Sequence, residues 1–143
     1  MKWLLDTCVI SELVSKQPNM KVVRWIDSID ADRLYLSVIT IGEIRKGSER
    51  LPESKRRQNL QVWLTEDLFT RFSGRIIALD TDILLVWGIL TGRLEDEGKK
   101  MSAIDSLIAA TALHGDFILV TRNETDFTHA NIRIHNPWQE WVL

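Results

Sequence analysis

The fold is decided by MKWLLDTCVISE, residues 1–12. Trp3, Leu4 and Leu5 form a short apolar run of the kind that becomes a buried strand, and the run stops directly on Asp6. A carboxylate at the mouth of a hydrophobic core needs a reason to be there. That reason depends on what the rest of the chain delivers to the same place.

Further apolar runs occur at residues 34–37, 76–79, 118–121 and, more weakly, 132–135. The segments between them carry apolar residues at helical spacing. Val22, Val23, Ile26 and Ile29 mark one face, and Leu60, Trp63, Leu64 and Leu68 a second. Ile83, Val86, Trp87 and Leu90 mark a third, and Ile104, Leu107, Ile108 and Thr111 a fourth. Pro18, Pro52 and Gly115 stand where helices should begin or end. Strands alternating with helices predict an α/β fold with a mostly parallel sheet between helical layers, because parallel strands need helical crossovers. In such sheets ligands bind beyond the carboxyl ends of the strands. Asp6 therefore belongs to the working edge.

Composition bounds the function. The chain has 143 residues, 45% of them hydrophobic and 27% charged, which is enough apolar material for one core and one domain, 1–143. A formal net charge of −2 excludes a broadly basic nucleic-acid binder. It leaves open an enzyme that grips a phosphodiester through metal ions and a few local cations. The single cysteine, Cys8, has no internal disulfide partner, which points to a reducing, cytoplasmic setting. The apolar stretch at residues 76–90 contains Asp80 and Asp82, so no membrane span is expected there.

The same topology sends other acids to the rim where Asp6 sits. Glu43 follows the second strand in SVITIGEIRKG, and Asp80 and Asp82 follow the third in LDTDIL. Asp105 opens the helix that leads into the fourth strand, and Asn123, Glu124 and Asp126 follow that strand in TRNETDF. Each acid taken alone has an ordinary explanation. Thr40 with Glu43, and Ser102 with Asp105, fit the capping-box pattern; Asp6 fits a helix N-cap, and Asp80 and Asp82 fit a turn and cap. Together they make a different case, since clustered carboxylates stay ionised at neutral pH only with a positive charge among them. A hard cation with oxygen ligands, Mg²⁺ or Mn²⁺, supplies it. His114, His129 and His135 form no ligand-type pair, which argues against zinc.

Four motifs in fixed order, LLDTCVISELV, LSVITIGEIRKG, SAIDSLIAATAL and LVTRNETDF, resemble those of the PIN-domain ribonucleases. The nearest resemblance is to the VapC toxins of toxin–antitoxin pairs and their FitB-like subgroup, to which the tail IRIHNPWQEW adds. It implies a Rossmann-like three-layer sandwich whose acidic pocket binds Mg²⁺ or Mn²⁺ and hydrolyses RNA. It places the family's first three acids on Asp6, Glu43 and Asp105. The fourth falls between Asn123, directly after the Thr–Arg pair, and Asp126, one helical turn on; Asp126 is taken as the acid and Asn123 as a neutral hydrogen-bonding group. Cys8 stands where the family usually has asparagine.

On this reading Asp6 and Asp105 hold the metal, and Glu43 and Asp126 complete the pocket. Thr7 and Thr121 orient ligands, and Lys99, Lys100 and Arg122 contact phosphate. Arg45, Lys46 and the basic run 55–57 are read as solvated helix faces. The resemblance also implies a homodimer, a VapB-like antitoxin that covers the pocket, and single-stranded or looped RNA as substrate. Two other readings stay in view. One is a phosphatase using Asp80 of the DxD pair as nucleophile; the other is a non-catalytic binding module on the same fold.

Overall fold

In the computed structural model, which describes residues 1–139, five strands form one wholly parallel sheet. They are β1 (Trp3–Leu5), β2 (Leu34–Ser37), β3 (Ile76–Ile77), β4 (Ile118–Val120) and β5 (Ile134–His135), arranged in the order β3-β2-β1-β4-β5. β1 lies in the centre, with Trp3 opposite both Leu34 and Ile118. Three strands are shorter than the apolar runs suggest. β3 keeps only Ile76 and Ile77 paired, against Leu36 and Ser37, because the chain turns at the sheet edge to start a helix capped by Asp80. β5 likewise begins at Ile134, and β4 stops at Val120, leaving Thr121 at its mouth.

Alternation along the strands explains the layers. Leu4 and Leu119 point into one core, with Leu90, Leu94, Ile108 and Phe127. Leu5, Val120, Leu34 and Leu36 point into the other, with Val9, Ile10, Val22, Ile26, Leu64 and Leu68. Both faces of β1 are thus covered, and each fully buried leucine contributes roughly 1.5–3 kcal/mol. The second core packs under α1 (Thr7–Leu13), α2 (Met20–Ser28), α3 (Val38–Glu49) and a π-helical segment, Trp63–Leu68, that joins α4 (Lys55–Val62) to the short α5 (Phe69–Arg71). The first packs under α6 (Thr81–Asp96), α7 (Ala103–Gly115) and a 3-10 helix, Glu124–Ala130. The result is the expected helix–sheet–helix sandwich.

The boundary residues do what their chemistry predicts. α2 starts just after Pro18, α4 just after Pro52, and α7 ends on Gly115, where a Cβ would lie 2.2 Å from the Phe117 ring. Ile104 departs from expectation: it is exposed rather than part of the buried face of α7, because it lies in the helix's first turn, beyond the sheet edge.

The strand order fixes where a ligand must go. β1 runs through α1 and α2 to β2 on one side, while the chain returns from β3 through α6 and α7 to β4 on the other. The direction of winding reverses between β1 and β4, and the crevice beyond their carboxyl ends is the switch point of the sheet. Asp6 and Thr121 are the first residues past those two ends.

Candidate active site

Asp6 leaves β1 and at once caps α1, as its sequence context predicts. Its Oδ1 accepts from the Thr7 N–H at 2.8 Å, while its own N–H donates to the Val120 carbonyl at 2.9 Å. The other carboxylate oxygen, Oδ2, accepts from the Thr121 hydroxyl at 2.8 Å, and the Cys8 thiol lies 3.9 Å away. Thr121 is itself held by the Asn123 N–H at 3.0 Å. A side chain only 6% exposed is thereby locked in one orientation at the switch point.

Glu43 comes from α3, but not as a capping-box acid. Ser37, the last residue of β2, caps this helix by accepting from the Ile39 N–H at 3.1 Å. Thr40 is therefore a buried interior residue and Glu43 is free of backbone duty. The Thr7 hydroxyl donates to Glu43 Oε1 at 2.6 Å and shares a 3.1 Å hydrogen bond with the Thr40 hydroxyl. Thr40 is a contact that the motif reading missed, because the capping pattern hid it. Asp105 does sit in a capping context, with its N–H donating to Ser102 Oγ at 3.1 Å. Asp126 lies exposed on the 3-10 helix, and the Asn123 side chain is exposed at its start.

The electrostatics tie the four acids together. Burial pushes the Asp6 carboxyl above its ordinary value, and the charges of Glu43 and Asp105 push the same way against the hydrogen bonds from Thr121 and Thr7. Burial also raises Asp105; the Ser102 hydroxyl lowers it, and the charges of Asp126 and Glu43 raise it further. Among the described residues no lysine or arginine forms an ion pair with any of the four. Nor do three of them close into a ready-made cage. The donors are all oxygens, they are spaced, and they lack a protein counter-charge. That set fits a hard divalent cation that keeps part of its water shell, with the buried Asp6 and the half-buried Asp105 as the pair able to hold it.

Two of the three cations expected at phosphate, Lys99 and Arg122, are otherwise engaged. Lys99 pairs with Glu97 at 3.2 Å, and Lys100 is exposed just before α7. Arg122 reaches Glu12 at 3.3 Å and stacks over Trp138 at 4.5 Å, while the Trp138 indole N–H donates to the same Glu12 oxygen at 2.9 Å. Glu12 and Trp138 escape sequence reasoning because they meet across 126 residues. With Thr7, Cys8 and Ser11 this cluster lines an open cavity of ≈ 480 Å³ beside Asp6. A larger cavity of ≈ 860 Å³ lies between α1, α3 and α4, and none of the four acids lines it. Asp80 caps α6 by accepting from the Ile83 N–H at 2.9 Å, just past the edge strand β3, which lies two places from β1, so it stands apart from the acidic group. The end of the tail motif, Glu140 and Trp141, lies outside the described residues.

A parallel sheet with acids gathered beyond the carboxyl ends of its central strands defines a Rossmann-like α/β sandwich with an acidic edge site. Within that class the chain belongs to the PIN-domain family, whose model matches residues 3–132. Toxin FitB of Neisseria gonorrhoeae is 36% identical over 137 residues, covering 96% of this chain and 99% of that protein. The VapC ribonuclease Y4jK of Sinorhizobium fredii is 37% identical over 136 residues, covering 95% and 97%. The solved structure of FitAcB from Neisseria gonorrhoeae superimposes with a TM-score of 0.91 at 36% identity, covering 96% of this chain and 99% of that one. Among the described residues no helix is long and apolar enough to cross a membrane.

Proposed function

We propose that this chain is a divalent-metal-dependent endoribonuclease and the toxin of a toxin–antitoxin pair. The observation that carries the reading is the group of four acids, Asp6, Glu43, Asp105 and Asp126, mutually repelling and without a counter-charge among the described residues, at the switch point of a PIN fold. Similarity to a VapC ribonuclease and to Toxin FitB supports it.

Mg²⁺ or Mn²⁺ bound by Asp6 and Asp105 would activate water and neutralise charge developing on the phosphate. The chain's own residues do the rest. Thr121 and the Thr7 N–H hold Asp6 in the orientation that presents it to a cation. Thr7 fixes Glu43 on the opposite wall, poised to orient the attacking water or accept its proton. Asp126 and Asn123 sit at the open side, where they position water or substrate.

Partners follow from the same reading. A VapB-like antitoxin silences the site, most simply by placing a cation of its own between Asp6 and Asp105. The outer face of α6 exposes Leu84, Leu85 and Ile89, the last at 74%, and this apolar strip is the surface we assign to the homodimer.

The decisive experiment incubates antitoxin-free protein with single-stranded RNA in Mg²⁺, in Mn²⁺ and in EDTA, beside the Asp6→Asn and Asp105→Asn variants. Cleavage that needs the cation and both aspartates is the expected result. RNA binding without cleavage under any divalent ion would make the chain a binding module instead.

A further inference from the structure

The acids that would hold the metal also repel the substrate, and the structure holds an answer to that problem on α3. Ile39, Glu43, Lys46 and Arg50 recur at helical spacing on one face of that helix and its C-cap. Together with Gly42, Gly47 and Ile104 they line a cavity of ≈ 470 Å³. This cavity opens directly beside the acidic site, because Glu43 belongs to both and Ile104 adjoins Asp105. Its walls are open at Gly42 and Gly47, where an added Cβ would meet nothing within 4 Å.

The charges on this face are what make it useful. The neighbouring Arg45 is tied to Glu49 at 2.7 Å, and Arg57 shares the same carboxylate at 2.6 Å. Lys46 and Arg50 have no acidic partner among the described residues, and both are exposed. From Glu43 to Arg50 the helix advances about 10 Å, so two free cations leave the acidic site in file. Sequence alone reads Lys46 as part of a solvated face; the cavity and the missing counter-charge distinguish it from Arg45.

We infer that Lys46 and Arg50 form a phosphate track, holding the backbone of single-stranded RNA on one side of the scissile bond. This rests on the nuclease reading above. The track offsets the repulsion of the four carboxylates locally, on a chain whose net charge is negative. Because it touches phosphate rather than bases, it contributes affinity and not sequence preference.

The test uses Lys46→Ala/Arg50→Ala, with Arg33→Ala as a control, since Arg33 pairs with Asp30 on the amino-terminal side of β2. Binding of a fluorescent single-stranded RNA is measured in the non-cleaving Asp6→Asn background across a salt series, and KM and kcat in the active background. Expected are weaker binding, a several-fold higher KM with kcat retained, and a salt slope reduced by about 0.7 for each phosphate no longer neutralised. Unchanged affinity, KM and slope overturn the track. So does an equal weakening in Arg33→Ala, and so does failure of antitoxin binding alone with KM intact. If the parent chain cuts no RNA but binds it through Lys46 and Arg50, the track stands and the nuclease reading falls. If it neither cuts nor binds RNA, both fall.

Discussion

The hydroxyl of Thr121 donates a 2.8 Å hydrogen bond to Oδ2 of Asp6, joining the mouths of β4 and β1. This hydrogen bond selects one orientation of the buried carboxylate before any cation arrives. Thr121→Val keeps the shape and removes the donor. Support of this kind for a metal-holding carboxylate is typically worth about 10- to 100-fold in affinity or activity. We expect that decrease in cleavage rate, partly recovered at high Mn²⁺, with little change in Tm. Full activity in Thr121→Val would show that the hydroxyl only fills space.

The raised carboxyls make stability depend on pH in a defined direction. Asp6 and Asp105 bind protons more tightly in the folded chain than at the ordinary value of 3.8. Their contribution is fully present below that value and is lost as pH rises through the raised folded values. In EDTA, Asp6→Asn should therefore be more stable than the parent at pH 7.5, with the gap closing under acid conditions. Added Mn²⁺ should raise the parent's Tm more at pH 7.5 than at pH 5. A Tm gain independent of pH in thermal melts would contradict this.

Much of this site can be read from residue order, and the failures have physical causes. Asp6 is legible because an apolar strand ending on a carboxylate is a local signal, and strand–helix alternation supplies its address. Glu43 is legible as a position but not as a role. Two hydroxyl residues, Ser37 and Thr40, compete for the cap of α3, and only the hydrogen bond from the Ile39 N–H shows that Ser37 takes it. Arg122 looks available for phosphate in the sequence since its partners, Glu12 and Trp138, are 110 residues before it and 16 after it. No local pattern predicts such meetings. The difference between Arg45 and Lys46 is hidden for another reason: Glu49 lies at i+4 from one and i+3 from the other, so residue order alone does not decide which of them takes it.

Asp80 offers a test that separates capping from chemistry. Its carboxylate accepts from the Ile83 N–H at 2.9 Å at the start of α6, beyond an edge strand two places from β1. Asp80→Ala should cost about 1 kcal/mol, the usual value of an N-cap. For a chain of this size that lowers Tm by about 3 °C. RNA cleavage measured well below the melt should remain near the parent's rate. An abolished rate in a folded Asp80→Ala chain would revive a nucleophilic role for this residue.

Cys8 reports on the charge of its neighbour. Its sulfur lies 3.6 Å from the Thr121 hydroxyl and 3.9 Å from Asp6 Oδ2. Burial pushes the thiol above its ordinary value, and the Asp6 charge adds to that, while the Arg122 backbone pulls the other way. The thiolate, not the thiol, displaces iodide from iodoacetamide, so native protein at pH 7.5 should react much more slowly than protein unfolded in urea. Asp6→Asn removes the neighbouring charge but leaves the burial. Its labelling rate should rise above the parent's and stay below the unfolded rate. If the native parent labels as fast as unfolded chain, Cys8 is not held against Asp6 as described, and the packing of the α1 amino terminus over the site must be different.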